Sequence, residues 1–244
     1  MPKCHSTNDI ATETAEKDDC LDGTLVITDW QTKGRGQRGN QWESEPNKNL
    51  TFSVILKPGF LTLDHQFFLN IFTSLALIDT LVSYVHTGLK IKWPNDIYYE
   101  NMKLGGILIE NTVKGSYLHA TVIGVGLNIN QVDFNCENAL SLAGICERFF
   151  DLQTLLGELV MNMEKRYFQL KTEKFQALRS EYVERLFWYN QLKWFKTDRK
   201  FQAKIVGVDD LGRLQLMENF RIHSYDLKEV TYLINTDQDP GGYS

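Results

Sequence analysis

The feature that most restricts what this chain can fold into is a succession of β-rich segments between residues 97 and 130, joined by turns too short to hold a helix. IYYE (97–100), KLGGILIE (103–110) and HATVIGVGLNIN (119–130) are separated by an Asn-Met turn and a turn built on Lys-Gly-Ser. Strands linked that tightly run antiparallel, because a parallel pair needs a crossover of about a dozen residues or more. The region is a meander, not a βαβ unit. LKIKW (89–93) reads as a further strand closed by Pro94-Asn95-Asp96, and TLVITDW (24–30) and LTFSVIL (50–56) as two others. Apolar positions at helical spacing over 64–85 predict a core helix. Ser6-Thr7-Asn8-Asp9 has the look of a helix start, with Ser6 as cap and Asp9 as its partner.

Between Asp151 and about Leu186 the pattern is helical and charged on one face; after Trp188 it becomes short alternating strands separated by turn residues. A chain of 244 residues exceeds a typical domain of about 100–150, so one large domain with a small appendage is the expected organisation. The boundaries fall at 1–187, 188–236 for a small β-barrel, and 237–244 for a frayed tail.

Hydrophobic content of 43% with 23% charged residues excludes general disorder, and a net charge of -5 excludes a nucleic-acid coat or a polybasic membrane surface. Anion recognition must therefore be local. No apolar run approaches the roughly 18 residues of a membrane span, and the amino terminus lacks a secretory core, so the expectation is a soluble, cytoplasmic chain with no membrane partner. Cys4, Cys20, Cys136 and Cys146 lack C-x-x-C spacing, which disfavours both zinc and a disulfide framework.

Gly34-Arg35-Gly36-Gln37-Arg38-Gly39 matches the dinucleotide pattern G-x-G-x-x-G, but NQWESEPNKN supplies no helix after it, as that fingerprint requires. A phosphate-binding P-loop fails as well, since Asn40 follows Gly39 where a lysine is needed. What survives is a long glycine-laden loop whose Arg35 and Arg38 can close on a phosphate, or a solvated basic loop with the same residues. Lys92-Trp93-Pro94-Asn95-Asp96 places a cation and polar side chains at a strand end. Lys103-Leu104-Gly105-Gly106 and Gly124-Val125-Gly126-Leu127-Asn128 put glycines inside strands, where close approach to the backbone is the usual reason. An ordinary bulged hairpin would account for either alone; together they suggest a flat ligand laid on the sheet.

These segments resemble those of biotin protein ligases. The resemblance rests on STN at Ser6–Asn8, GRGxRG at Gly34–Gly39 with Trp42 after it, KWPND at Lys92–Asp96, KLGGIL at Lys103–Leu108 and GxGxN at Gly124–Asn128. It implies an α+β fold, a mixed, largely antiparallel sheet flanked by helices of the class II aminoacyl-tRNA synthetase-like, biotinyl/lipoyl ligase type, with a carboxy-terminal SH3-like barrel. The implied activity is formation of biotinyl-adenylate from biotin and ATP with Mg²⁺, then transfer of biotin to a lysine of a biotin carboxyl carrier domain.

The resemblance implies Lys103, Arg35 and Arg38 as the catalytic cations. It implies Ser6, Thr7, Asn8, Gln31, Arg35, Gly36, Gln37, Lys103, Gly105, Gly106 and Gly124 around biotin. For ATP and the adenylate it implies Arg35, Arg38, Trp42, Lys92, Asn95 and Asn128, with Asp96 as a metal ligand. Because STN begins at residue 6, the expectation is an enzyme of the single-function type that does not bind DNA, as a monomer or homodimer. A lipoate or octanoate ligase or transferase is the nearest alternative, and a module holding single-stranded nucleic acid by Arg35, Arg38 and Trp42 the remoter one.

Gln37 stands where better-known members of that family have a second arginine, so one charged contact to the adenylate is missing. Gln37→Arg is expected to reduce nonspecific biotinylation of a bystander protein relative to wild type, read by avidin blot. Equal labelling would remove any role for this position in retaining the intermediate.

Overall fold

A computed structural model of the protein describes residues 1–234, except the side chain of Arg38; the tail expected at 237–244 lies outside the described residues. Helix α1 (Thr7–Ala15) is followed by β1 (Thr24–Thr28), a two-residue ladder of β2 (Gly34–Arg35) with β3 (Gln41–Trp42), and β4 (Leu50–Leu56). Helix α2 (Phe68–Leu81) precedes four strands in succession: β5 (Leu89–Lys92), β6 (Asp96–Tyr99), β7 (Met102–Lys114) and β8 (Tyr117–Leu127). Helices α3 (Leu142–Cys146), α4 (Leu152–Lys171) and α5 (Phe175–Glu184) lead to β9 (Leu192–Lys196), β10 (Lys200–Val208), β11 (Leu214–Glu218), β12 (Arg221–Tyr225) and β13 (Thr231–Tyr232).

The larger sheet has the order β1-β4-β8-β7-β6-β5. Helix α2 carries the chain from β4 to the far edge, and the meander β5 to β8 walks back until β8 pairs with β4. Every ladder among the described strands is antiparallel, which corrects the expected mixed sheet. The cause is that a single crossover spans the whole sheet, and hairpins make every later connection. Parallel contact is confined to isolated bridges such as Ile91 with Leu186.

Side chains alternate between the two faces of a strand. On one face Phe52, Val54, Ile123, Val125 and Ile107 join α2 in the main apolar core. Helix α2 is apolar nearly all round because the sheet lies on one side and α4 and α5 on the other. Arg166 of α4 ties these helices together: Nε and Nη2 donate to Asp79 at 2.6 and 2.9 Å, and Nη1 lies 2.7 Å from Glu181. The opposite face carries Thr51, Ser53, Gly124, Gly126, Gly106 and Asp96, register partners across β4, β8, β7 and β6. That small, polar face is the floor of the site.

Three local expectations are revised. Ser6 is the residue before α1 in extended conformation, but its side chain makes no capping bond, and Asp9 turns instead to Arg35. The segment 33–49 is not wholly irregular, since Gly34–Arg35 pairs with Gln41–Trp42 across a short 3₁₀ turn. The helical stretch from Asp151 is two helices, the first capped by Asp151, whose carboxylate accepts from Thr154 N at 2.8 Å.

The second sheet, of order β12-β11-β10-β9-β13, is seated directly on the first unit. Trp93 Nε1 donates to Gly212 O at 2.8 Å. A Cβ at Gly212 would lie 2.1 Å from the Phe67 ring, and Gly212 has φ +83, so only glycine permits this approach. No helix among the described residues is long and apolar enough to cross a membrane.

Candidate active site

A pocket of about 660 Å³ opens on the polar face of the larger sheet. Helix α1, the β2–β3 loop and the turn before β13 wall it. Ser6, Thr7, Asn8, Gln31, Arg35, Gly36, Gln37, Trp42, Lys92, Asn95, Asp96, Lys103, Gly106 and Gly124 all line it. Residues far apart in sequence thus meet in one cavity.

Helix α1 is held on the floor by a buried polar chain. Gln31 Oε1 accepts from Thr7 N at 2.7 Å, and Ser53 Oγ lies 2.8 Å from Thr7 Oγ1 and 2.6 Å from Asn8 Oδ1. Asn8 Nδ2 donates to Glu110 Oε2 at 2.8 Å and to Leu108 O at 3.3 Å. Asn8 is buried, so each of these partners matters: an unpaired amide there costs about 1–3 kcal/mol. Gly124 makes the arrangement possible, since a Cβ at that position would stand 2.1 Å from Asn8 Oδ1.

The other floor glycines act in the same way. A Cβ at Gly126 would enter the Trp42 indole at 2.3 Å, and one at Gly106 would meet Asp96 at 3.2 Å and the Lys103 side chain at 3.4 Å. The close approach inferred from the sequence is real, but the nearest groups are the protein's own Asn8, Trp42, Asp96 and Lys103. Gly105, expected beside biotin, faces the other way: it precedes Gly106 on the alternate face, and its missing Cβ accommodates Leu127 at 2.8 Å and Gly126 O at 2.9 Å. It belongs to the core side.

Lys103 reaches the pocket because of a bulge. Asp96 pairs with Gly106 and Ile97 with Gly105, but Tyr98 pairs with Lys103, leaving Leu104 as the extra residue, fully buried in the core. Regular alternation would have sent Lys103 to the core face; the bulge re-aims it. Its Nζ lies 2.7 Å from Asp96 Oδ1 and 5.9 Å from the centre of the Trp42 ring. With that ammonium beside it, Asp96 positions Lys103, and no cluster of three or more metal-binding side chains exists among the described residues. In this structure the Asp96 carboxylate expected as a metal ligand is paired with the Lys103 ammonium.

Arg35 is likewise engaged. Its Nη2 lies 2.7 Å from both Asp9 Oδ1 and Glu110 Oε2, which fastens the glycine-rich loop to α1 and β7. Arg35, expected as a catalytic cation, is here also a latch on the loop. Lys92 Nζ donates to Tyr98 Oη at 3.1 Å and sits 5.3 Å from the centre of the Tyr232 ring, and burial pushes its ammonium below the usual lysine range. Asn95 Nδ2 donates to Ile107 O, so its amide is committed to the sheet. Asn128 lies outside the pocket wall, its Nδ2 donating to Leu140 O at 3.2 Å. The side chain of Arg38 lies outside the described residues.

Several contributors escaped the sequence reading. Glu110 was legible: counting by twos from Gly106 puts Leu108 and Glu110 on the pocket face. Ser53 could be found in the same way from Thr51. Leu227, Lys228, Val230, Thr231 and Tyr232, which wall the pocket from the second sheet, carried no local signal.

The architecture, antiparallel sheets flanked by helices, is the biotin protein ligase fold: a biotin protein ligase from Aquifex aeolicus in complex with biotin and ATP superimposes with a TM-score of 0.79, covering 95% of this chain and 96% of that one at 23% identity. Residues 2–128 match the biotin/lipoate A/B protein ligase family, and the chain belongs to that family. A bifunctional ligase/repressor BirA from Bacillus subtilis is 29% identical over 222 residues, covering 85% of this chain and 66% of its own length. A biotin--[acetyl-CoA-carboxylase] ligase from Mycobacterium tuberculosis is 30% identical over 155 residues, covering 61% of this chain and 56% of its own. The chain thus spans two thirds or less of the length of these curated relatives.

Glu110 holds both the loop, through Arg35, and the floor, through Asn8. Glu110→Ala is expected to speed tryptic cleavage after Arg35 by several-fold while leaving cleavage in the second sheet unchanged. An unaltered rate at Arg35 would show that the latch does not hold the loop.

Proposed function

We propose that this protein is an ATP-dependent biotin protein ligase. The observation that carries the reading is a single pocket in which Lys103 stands between a neutral polar end, formed by Ser6, Thr7 and Gln31, and a second end walled by Lys92 and the β12–β13 turn. A volume of about 660 Å³ suits a ligand of adenylate size.

In the first step an oxygen of the biotin carboxylate attacks the α-phosphorus of ATP; the bond to the β-phosphate breaks and pyrophosphate leaves. In the second, a lysine amine of a carrier domain attacks the acyl carbon; a C–N bond forms, the proton leaves the amine and AMP departs. Negative charge gathers at the carboxylate and α-phosphate in the first step, so a fixed cation there supplies the main electrostatic stabilisation. Lys103 fills that role, oriented by Asp96. Arg35 closes the loop over the ligand and, with Arg38 and Gln37, shields the mixed anhydride from water. Ser6, Thr7 and Gln31 face the ureido ring, whose donors and acceptor each need a partner once out of water. Trp42 offers an aromatic face at the nucleotide side.

Mg²⁺ screens the triphosphate in such reactions and would arrive on the nucleotide; Asp96 is the carboxylate proposed to meet it, although no cluster of three or more acidic, histidine or cysteine side chains stands among the described residues, and no step is assigned to the ion. We take residues 1–187 as the catalytic unit and the second sheet, within 188–236, as a small SH3-like barrel. The carrier domain of a biotin-dependent carboxylase is the proposed macromolecular partner, and the cytoplasm the proposed location.

Wild-type protein is expected to exchange labelled pyrophosphate into ATP when biotin is present, and Lys103→Ala to lose about 100-fold or more of that rate. Exchange with lipoate instead would assign the protein to the other substrate of its family. No exchange with either would overturn the acyl-adenylate chemistry.

A further inference from the structure

The turn between β12 and β13 contributes a wall of the pocket, and one of its residues has an unusual backbone. Lys228 has φ +77, the left-handed region that a side chain with a Cβ enters at a cost. Other non-glycine residues share that conformation, among them Glu100, Trp188 and Phe220, but of all of them only Lys228 lines the pocket among the described residues. A lysine held in a strained turn at the rim of a binding cavity calls for a functional reason.

The charges around it supply one. Of the described cations in the pocket wall, Arg35 is neutralised by Asp9 and Glu110, and Lys103 by Asp96. Lys92 is half-buried against the rings of Tyr98 and Tyr232 and hydrogen-bonded to Tyr98 Oη. Lys228 is exposed and takes part in no ion pair among the described residues. Position along the sheet orders the cavity: the Thr7 and Gln31 end lies over β4 and β8, Lys103 over β7, and Lys92 on the edge strand β5, beside the β12–β13 turn. Resting on the ligase reading, with the acyl end at Thr7 and the reacting α-phosphate at Lys103, the polyphosphate extends toward that turn.

We infer that Lys228 is a binding residue for the β- and γ-phosphates of ATP, and so for the pyrophosphate leaving group, delivered by the second sheet to a site otherwise built on the first. The same contact gives that sheet a part in the first step: without it the departing pyrophosphate meets no cation free of an ion pair on this wall among the described residues.

The test compares Lys228→Gly, Lys228→Asn and Lys228→Arg in biotin-dependent pyrophosphate exchange. Glycine and asparagine tolerate the left-handed backbone without the charge; arginine keeps the charge and the strain. The expected result is a rise of about tenfold in KM for both ATP and pyrophosphate for Gly and Asn, and less than about threefold for Arg. KM for biotin and inhibition by AMP, which lacks the distal phosphates, should be unchanged. Relief of strain should also raise the Tm of Lys228→Gly by about 2 °C, so a folding defect would not mimic the kinetic loss. Unchanged KM values for ATP and pyrophosphate in an active Lys228→Gly enzyme would overturn the inference alone, as would an effect confined to the carrier-protein KM. A wild type without biotin-dependent exchange would instead overturn the ligase reading beneath it.

Discussion

The site depends on the contact between Asn8 and Gly124. Asn8 lies over three strands at once, with its carbonyl oxygen beside Ser53 of β4, its body above Gly124 of β8, and its amide on Leu108 and Glu110 of β7. A helix carrying a polar residue can sit flat on a sheet only if the sheet offers both hydrogen-bond partners and space, and the Ser53–Gly124–Leu108 row offers both. Through Glu110 the same residue is coupled to Arg35, and through Ser53 to Thr7 and Gln31. The Thr7 and Gln31 end of the pocket and the closure of the loop therefore share one support.

The two faces of the sheet are specialised by alternation. One presents Phe52, Ile123, Val125 and Ile107 to α2; the other carries Thr51, Ser53, Gly106, Gly124 and Gly126 beneath the pocket, so that side chains from elsewhere can lie down on it. A bulge at Leu104 then breaks the alternation and brings Lys103 onto the polar face. The geometry of Lys103 is thus a property of strand pairing, fixed before any ligand arrives, which is the condition for electrostatic preorganisation.

Much of this was legible in the sequence for identifiable reasons. Turns of two or three residues fixed the meander, the glycines within KLGGIL and GVGLN marked close approach, and the spaced motifs named residues that do converge on one pocket. The misses are equally physical. Gly105 was grouped with Gly106 although neighbours on a strand face opposite ways, and Asn128 lies outside the pocket wall with its amide on Leu140 O. The ion pairs of Arg35 with Asp9 and Glu110 carried no local signal because they join segments far apart in the sequence. The wall from the second sheet rests on Gly212 meeting Phe67 and Trp93, contacts that no local pattern encodes.

The most direct test of the claim that glycine makes room for the protein's own polar side chains is the biotin affinity of Gly124→Ala, measured by calorimetry with circular dichroism to confirm the fold. A methyl 2.1 Å from Asn8 Oδ1 must displace that amide, and α1 with it. The account predicts a loss of about 100-fold or more in biotin affinity with the sheet intact. Affinity within twofold of wild type would mean that Asn8 is not the support on which the pocket rests.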